Sequence, residues 1–131
     1  MATFPFELVS PEKITFSGPV EAVTLPAQEG EMMIMAGHVP FMAPLKTGLL
    51  TIVQSDNKKI RVLITGGFLD INPSQVSVLA ERSLSEDEWS GEKLDAEIDI
   101  ATQYAEACED FDEKILANEN LNFLKHFRMS L

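Results

Sequence analysis

The sequence predicts an all-β unit followed by a helical hairpin, and three observations carry that reading. Six of the seven glycines and all seven prolines precede Glu81. There they punctuate short apolar, β-branched runs, as turns do in an all-β domain. Charge is divided unevenly: residues 1–80 hold seven acids and five bases, net −2, whereas residues 81–131 hold fourteen acids and five bases, net −9. After "ERS" the apolar spacing changes from alternation to steps of three and four, the change from strand to helix. A β unit over residues 1–83 and a helical unit over 84–131 follow.

Taken in order, "FPFEL" alternates Phe4, Phe6 and Leu8 with polar or proline positions, so one face of a first strand is apolar. Pro5 lacks a ladder donor and marks it as an edge strand. Further strands are predicted at "KITFS", "VEAVTLP", "EMMIM", "FMAPL", "LLTIV", "KIRVLIT", "GFLDI" and "QVSVLAE", joined by the turn signals "SGP", "SDNKK" and "NPS". Eight or nine short strands in about 80 residues fit a sandwich or a flattened barrel. Ser85 and Glu88 have the spacing of a capping box, with Leu84 and Trp89 placed for a hydrophobic staple. Gly91 weakens that first turn, which moves the regular helix toward Glu92. Leu94, Ile98, Ala101, Ala105 and Cys108 then form one narrow stripe. A second apolar series, Phe111, Ile115, Leu121, Leu124 and Phe127, is interrupted by the asparagines of "ANENLN". Two antiparallel helices are expected, with one long bent helix as the rival.

Composition excludes several functions. A net charge of −11 and a pI near 4.5 disfavour nucleic acid and anionic lipid, because each neutralised phosphate needs a Lys or Arg. The single cysteine, Cys108, forms no internal disulfide, and "MATFPFELVS" is no secretory leader, so a reducing, cytoplasmic setting is expected. No apolar run approaches the ~20 residues that span a bilayer, leaving membrane association to a partner. His38 and His126 are the only histidines, with no cysteine pair beside them, and no metal site is expected. The run "EDFDEK" lacks the spacing of a calcium loop and reads as a solvated helix face. No phosphate-binding glycine motif or nucleophile elbow occurs, so neither a cofactor nor catalysis is expected.

Residues 29–48, "EGEMMIMAGHVPFMAPLKTG", hold four of the six methionines and one of the two histidines. Methionine fills irregular core gaps or makes an adaptable docking surface. Strand alternation sends Met33 and Met35 to one face and Met32 and Ile34 to the other. Either the strand is covered on both faces or one face is an exposed patch. His38, in "AGHVPF", sits in a tight surface loop. Its plainer role is to hydrogen-bond the loop backbone, and the alternative is contact with a partner.

The order of the segments "ELVSPEKITFSGPVEAVTLPAQEGEMMIMAGHVPFMAPLKTGLLTI", "GGFLDINPSQVSVLAE" and "LDAEI" resembles the epsilon-subunit family of the bacterial F-type ATP synthase over about residues 4–107. The resemblance implies a ten-stranded β-sandwich followed by a helical hairpin. It implies a non-catalytic rotor subunit that binds the gamma subunit and the c ring, sits peripherally on the bacterial inner membrane, and reaches toward the alpha/beta head through its helices. Glu31 and His38 fall in the family loops that face the c ring. Some relatives bind ATP through Ile/Leu-Asp-x-x-Arg-Ala. Here Leu94 and Asp95 match, but Ile98 stands where arginine is required, which argues against ATP binding. The acidic arm also argues against strong inhibition of hydrolysis, because the relatives' arms meet an acidic segment of the catalytic subunits. Two readings of other classes compete: a ligand-binding sandwich with a helical dimerisation tail, and an enzyme using His38.

Overall fold

The computed structural model describes residues 2–131. They divide into two compact units, one ending at Glu86 and the other running from Asp87 to Leu131. The first is a β-sandwich built from one open sheet. Its strands are β1 (Phe4–Ser10), β2 (Lys13–Val20), β3 (Ala22–Ala27), β4 (Gly30–Met35), β5 (Phe41–Val53), β6 (Lys59–Ile71), β7 (Val76–Ala80) and β8 (Ser83–Ser85). The order is β2-β1-β7-β6-β5-β3-β4, with β8 paired to β6. All pairs are antiparallel except β1 with β7.

There are eight strands where the family resemblance implies ten; of the nine segments expected from the sequence, four fuse into two, and β8 adds one. "FMAPL" and "LLTIV" are halves of β5, while "KIRVLIT" and "GFLDI" are halves of β6. Each half keeps its own neighbour: Val62–Ile64 of β6 pair with β8, and Gly67–Ile71 pair with β7. Gly66 and Gly67 mark the junction with φ of +93° and +151°. A side chain at Gly67 would collide with the Leu79 carbonyl oxygen and stand 2.9 Å from Ala80 Cα, so this glycine lets β6 and β7 approach closely.

The edge assignment of β1 is corrected as well, since β1 pairs with both β2 and β7. Pro5 is tolerated because the β7 pairing starts one residue later, at Phe6 opposite Val76. Pro44 on β5 and Pro26 on β3 follow the same logic: β3 and β5 shift register between Thr24 and Ala27, and their pairing resumes only at Ala27 opposite Leu45.

Alternation builds the core. Phe4, Phe6 and Leu8 point inward from β1, joined by Val23, Leu25, Ile34, Leu50, Ile52, Val62, Ile64, Leu69, Val76 and Val78. Each fully buried side chain of this size contributes about 1.5–3 kcal/mol relative to exposure. On β4 only one face is covered: Ile34 is buried and Met32 packs against the core, while Met33 and Met35 are exposed.

In the second unit α1 (Gly91–Ala107) and α2 (Phe111–Met129) form an antiparallel hairpin, and the single bent helix is ruled out by the extended residues Cys108 and Asp110 between them. The regular helix begins later than the Ser85–Glu88 spacing predicts, after a 3-10 turn at Glu86–Glu88. Ser85 lies in β8, and Ser90 caps α1 by accepting a hydrogen bond from the Lys93 N–H at 3.2 Å. Leu84 pairs with Leu63, and Trp89 packs edge-on against Phe127, ring centroids 4.9 Å apart. Asp110 caps α2 through the Glu113 N–H at 3.0 Å.

The asparagines of "ANENLN" do not interrupt α2, whose inner face carries Ala117, Leu121 and Leu124. Phe111 and Ile115, expected on that face, are exposed. The α1 stripe is as expected around Leu94 and Ala105, but it also buries Glu97. Arg128 closes the open end of the hairpin: its Nε donates to Asp95 Oδ1 at 3.1 Å, and its guanidinium lies where a Gly91 side chain would stand.

Candidate docking surfaces

His38 follows β4 in the short loop before β5. Its Nδ1 lies 3.4 Å from the Met35 carbonyl oxygen and its Nε2 lies 3.3 Å from that of Asn72. Both partners are acceptors, so the neutral ring, with one N–H, donates to one of the two at a time, as its tautomer decides. Asn72 is itself fixed, because its Oδ1 accepts from the N–H groups of Ser74 and Gln75 and from the Ser74 hydroxyl. The Phe4 ring meets the imidazole edge-on at 5.3 Å. His38 therefore pins the loop to the end of β6 and the start of β1, which is the plainer of its two sequence readings.

Glu31 is exposed on β4 and lines an open depression of about 660 Å³ with Gln28, Met32, Phe41, Met42 and Pro44. His38 does not line it, so the two candidate residues contribute differently. Glu31 presents a charge at an apolar-walled concavity, and His38 orders a neighbouring loop.

The outer face of the sheet carries a feature that strand-by-strand reading missed. Following the register, Pro44 stands opposite Phe68, Phe68 opposite Leu79, Leu79 opposite Val9, and Val9 opposite Ile14. Five strands thus contribute one continuous apolar row on a solvent-facing surface, with Ile14 65%, Leu79 59% and Phe68 38% exposed. The adjacent row, Met42, Asp70, Ser77, Glu7 and Ser17, is polar and acidic apart from Met42 at its end. Alternation in each strand was legible, but the row exists only through the pairing order, which places β7 between β1 and β6.

In the helical unit, Leu94 is fully buried, Asp95 is exposed and paired with Arg128, and Ile98 is half-buried. Among the described residues no group of three or more His, Cys, Asp or Glu is arranged to hold a metal ion. Arg61 and Glu86 form an exposed ion pair of 2.6 Å, whose hydrogen bond and charge raise the guanidinium pKa. Among the described residues no helix is long and apolar enough to cross a membrane.

Comparison with known proteins agrees with this architecture. The family model for the ATP synthase Delta/Epsilon chain, beta-sandwich domain, matches residues 3–86. An ATP synthase epsilon chain of Parvibaculum lavamentivorans is 37% identical over 123 residues, 94% of this chain and 93% of the relative. One of Rhizobium johnstonii is 37% identical over 128 residues, 98% and 90% of the two chains. A chain in the Euglena gracilis mitochondrial ATP synthase, solved with its OSCP, F1 and c ring, matches with a TM-score of 0.71 and 26% identity, covering 97% of this chain and 82% of that one. A chain of the Tetrahymena thermophila central stalk and c ring matches in fold, with a TM-score of 0.64 at 13% identity over 97% of each chain.

Fold and comparisons together define a non-catalytic stalk subunit of a rotary ATP synthase. The chain belongs to the ATP synthase epsilon chain family.

Proposed function

We propose that this chain joins the gamma subunit to the c ring in the central rotor, and so couples proton flow to ATP synthesis mechanically. It works at the cytoplasmic face of the bacterial inner membrane, held there by the complex. The observation that carries this reading is the match to bacterial epsilon chains over nearly the full length of both partners. The sandwich supplies the joint. Glu31, exposed beside an apolar-walled depression, contacts the c ring, and His38 holds the neighbouring loop through a hydrogen bond to the Met35 or the Asn72 carbonyl. A torque-bearing joint relies on apolar packing inside a polar rim, because an isolated surface ion pair contributes only ~0–1 kcal/mol.

The hairpin acts as a structural cap and a weak brake. Residues 81–131 carry net −9, which repels an acidic partner. At the nucleotide-motif positions, Leu94 is committed to the hairpin interior, Ile98 offers no charge to a phosphate, and Asp95 is taken up by Arg128. Glu31→Cys in a Cys108→Ser background, oxidised in the assembled complex together with cysteines placed in the polar loops of the c subunits, tests the joint. Cross-linking to c is expected. Cross-linking to the alpha/beta head alone would overturn the orientation.

A further inference from the structure

We infer that His38 is a proton-operated clasp: the neutral ring ties the loop between β4 and β5 to one acceptor, and the imidazolium ties it to two. The clasp stands on geometry within the sandwich, and its consequence for the c-ring joint rests on the rotor reading. The ring lies between two backbone carbonyls, that of Met35 at 3.4 Å from Nδ1 and that of Asn72 at 3.3 Å from Nε2. A neutral imidazole has one N–H, so either tautomer leaves the other ring nitrogen with its lone pair toward a carbonyl oxygen. Two acceptors then face each other with no proton between them. The imidazolium carries an N–H on each nitrogen and satisfies both carbonyls at once. A charged donor also makes shorter bonds, roughly twice as strong as neutral ones. Both contacts are longer than the typical N–H···O distance of about 2.9–3.0 Å, and protonation closes them.

The two ends of the clasp differ in stiffness. Asn72 is locked into its turn: its N–H donates to the Gln75 carbonyl at 3.0 Å, and its side-chain oxygen accepts from Ser74 and Gln75. On the loop side, Gly37 has φ +87° and no atom within 4 Å of where a Cβ would stand, which leaves the loop room to move. The Phe4 ring, edge-on at 5.3 Å, fixes the plane of the imidazole between the two carbonyls. Protonation therefore acts on the loop and not on the turn. On the strands that meet the loop, the charged groups are Glu7 of β1, Glu31 of β4, Lys46 of β5, and Lys59, Arg61 and Asp70 of β6. Among the described residues His38 makes no hydrogen bond or ion pair with any of them, so the proton on the ring itself sets whether one bond forms or two.

The loop joins the two walls of the depression beside Glu31. One wall is Gly30, Glu31 and Met32 of β4, and the other is formed by Phe41 and Met42 at the start of β5. Acidification stiffens the link between them, so the c-ring contact becomes firmer as the surrounding solution turns acid.

The test is nuclear magnetic resonance of the full chain between about pH 5.5 and 8, where histidine changes charge and ordinary carboxylates stay ionised. As the His38 ring titrates, the 13C resonances of the Met35 and Asn72 carbonyls are expected to move downfield with the midpoint of the ring. Relaxation dispersion at Gly37 and Val39 is expected to show about tenfold less open loop at the acid end, the fold-change of one hydrogen bond from a charged donor. His38→Gln keeps a donor but does not titrate, and should abolish both responses. His126→Gln, in the helical unit, should leave them intact. Amide correlation spectra check the fold of each variant, and the titration of the unmodified chain stands without them. Carbonyl resonances that stay fixed while His38 titrates, or that move in opposite directions, would overturn the inference, as would a loop that loosens at the acid end. None of these measurements involves a partner, so such a result leaves the rotor reading standing; capture of the chain without gamma and c would sink the rotor reading and leave the clasp.

Discussion

Replacing Gly67 by alanine should damage the sandwich more than any single change on its surface. The residue sits at φ +151°, pairs with Leu45 on one side and Ala80 on the other, and is the point where β6 passes from one set of neighbours to the next. A Cβ there overlaps the Leu79 carbonyl oxygen and stands 2.9 Å from Ala80 Cα and 3.1 Å from the Leu79 carbonyl carbon. These are backbone atoms, so relief requires β6 and β7 to separate. The unfavourable φ costs about 1–2 kcal/mol for an L residue. Forced separation of two packed strands adds about 1–3 kcal/mol. Loss of glycine's freedom in the unfolded chain returns about 0.4–1 kcal/mol. A net loss of about 3 kcal/mol follows.

For a unit of this size, 1 kcal/mol moves Tm by about 4–8 °C, so the shift should be about 12–24 °C. Far-UV circular dichroism and amide exchange in β6 and β7 are the assays. The lone tryptophan, Trp89, lies in the other unit. A Tm within 2 °C of wild type would refute the close-approach argument.

Other expectations concern the hairpin and the charged surface. Ser90→Ala should cost the helical unit about 1 kcal/mol, read by Trp89 fluorescence during urea unfolding; an unchanged unfolding curve would mean that Ser90 does not cap α1. Leu124→Ala should destabilise the hairpin by about 2–5 kcal/mol and Phe111→Ser by almost nothing, since the first is buried and the second is 75% exposed. Arg61→Gln should leave the melting curve unchanged despite its 2.6 Å pairing with Glu86, because both groups are solvated. Removing residues 87–131 should raise ATP hydrolysis by the complex only slightly, and a large rise would mean that the hairpin is a strong brake.

Much of the fold was legible locally. Alternation in "FPFEL" and "QVSVLAE", the turns between runs, and the three-and-four spacing of Leu94, Ala101 and Ala105 each reflect one element's own burial pattern. What escaped depended on partners distant in sequence. Pro5 signalled an edge, yet β7 joins β1 one residue beyond it. Glycines 66 and 67 signalled a break, yet the strand continues because its two halves have different neighbours.

Two cap-competent serines, Ser85 and Ser90, compete for one helix start. Pairing of Leu84 with Leu63 across a hairpin-like return decides between them. Of the candidate docking residues, Glu31 and His38 were offered by the family resemblance, whereas the apolar row required five strands in register. The Asp95–Arg128 pair, 33 residues apart, was equally invisible to local pattern.

The central claim, membership of a rotor joint, is tested most directly by native mass spectrometry of detergent-solubilised membranes after capture through a tag on this chain. The account predicts one copy of the chain per complex, together with alpha, beta, gamma and c subunits. Recovery of the chain alone, or as a homodimer, would contradict it.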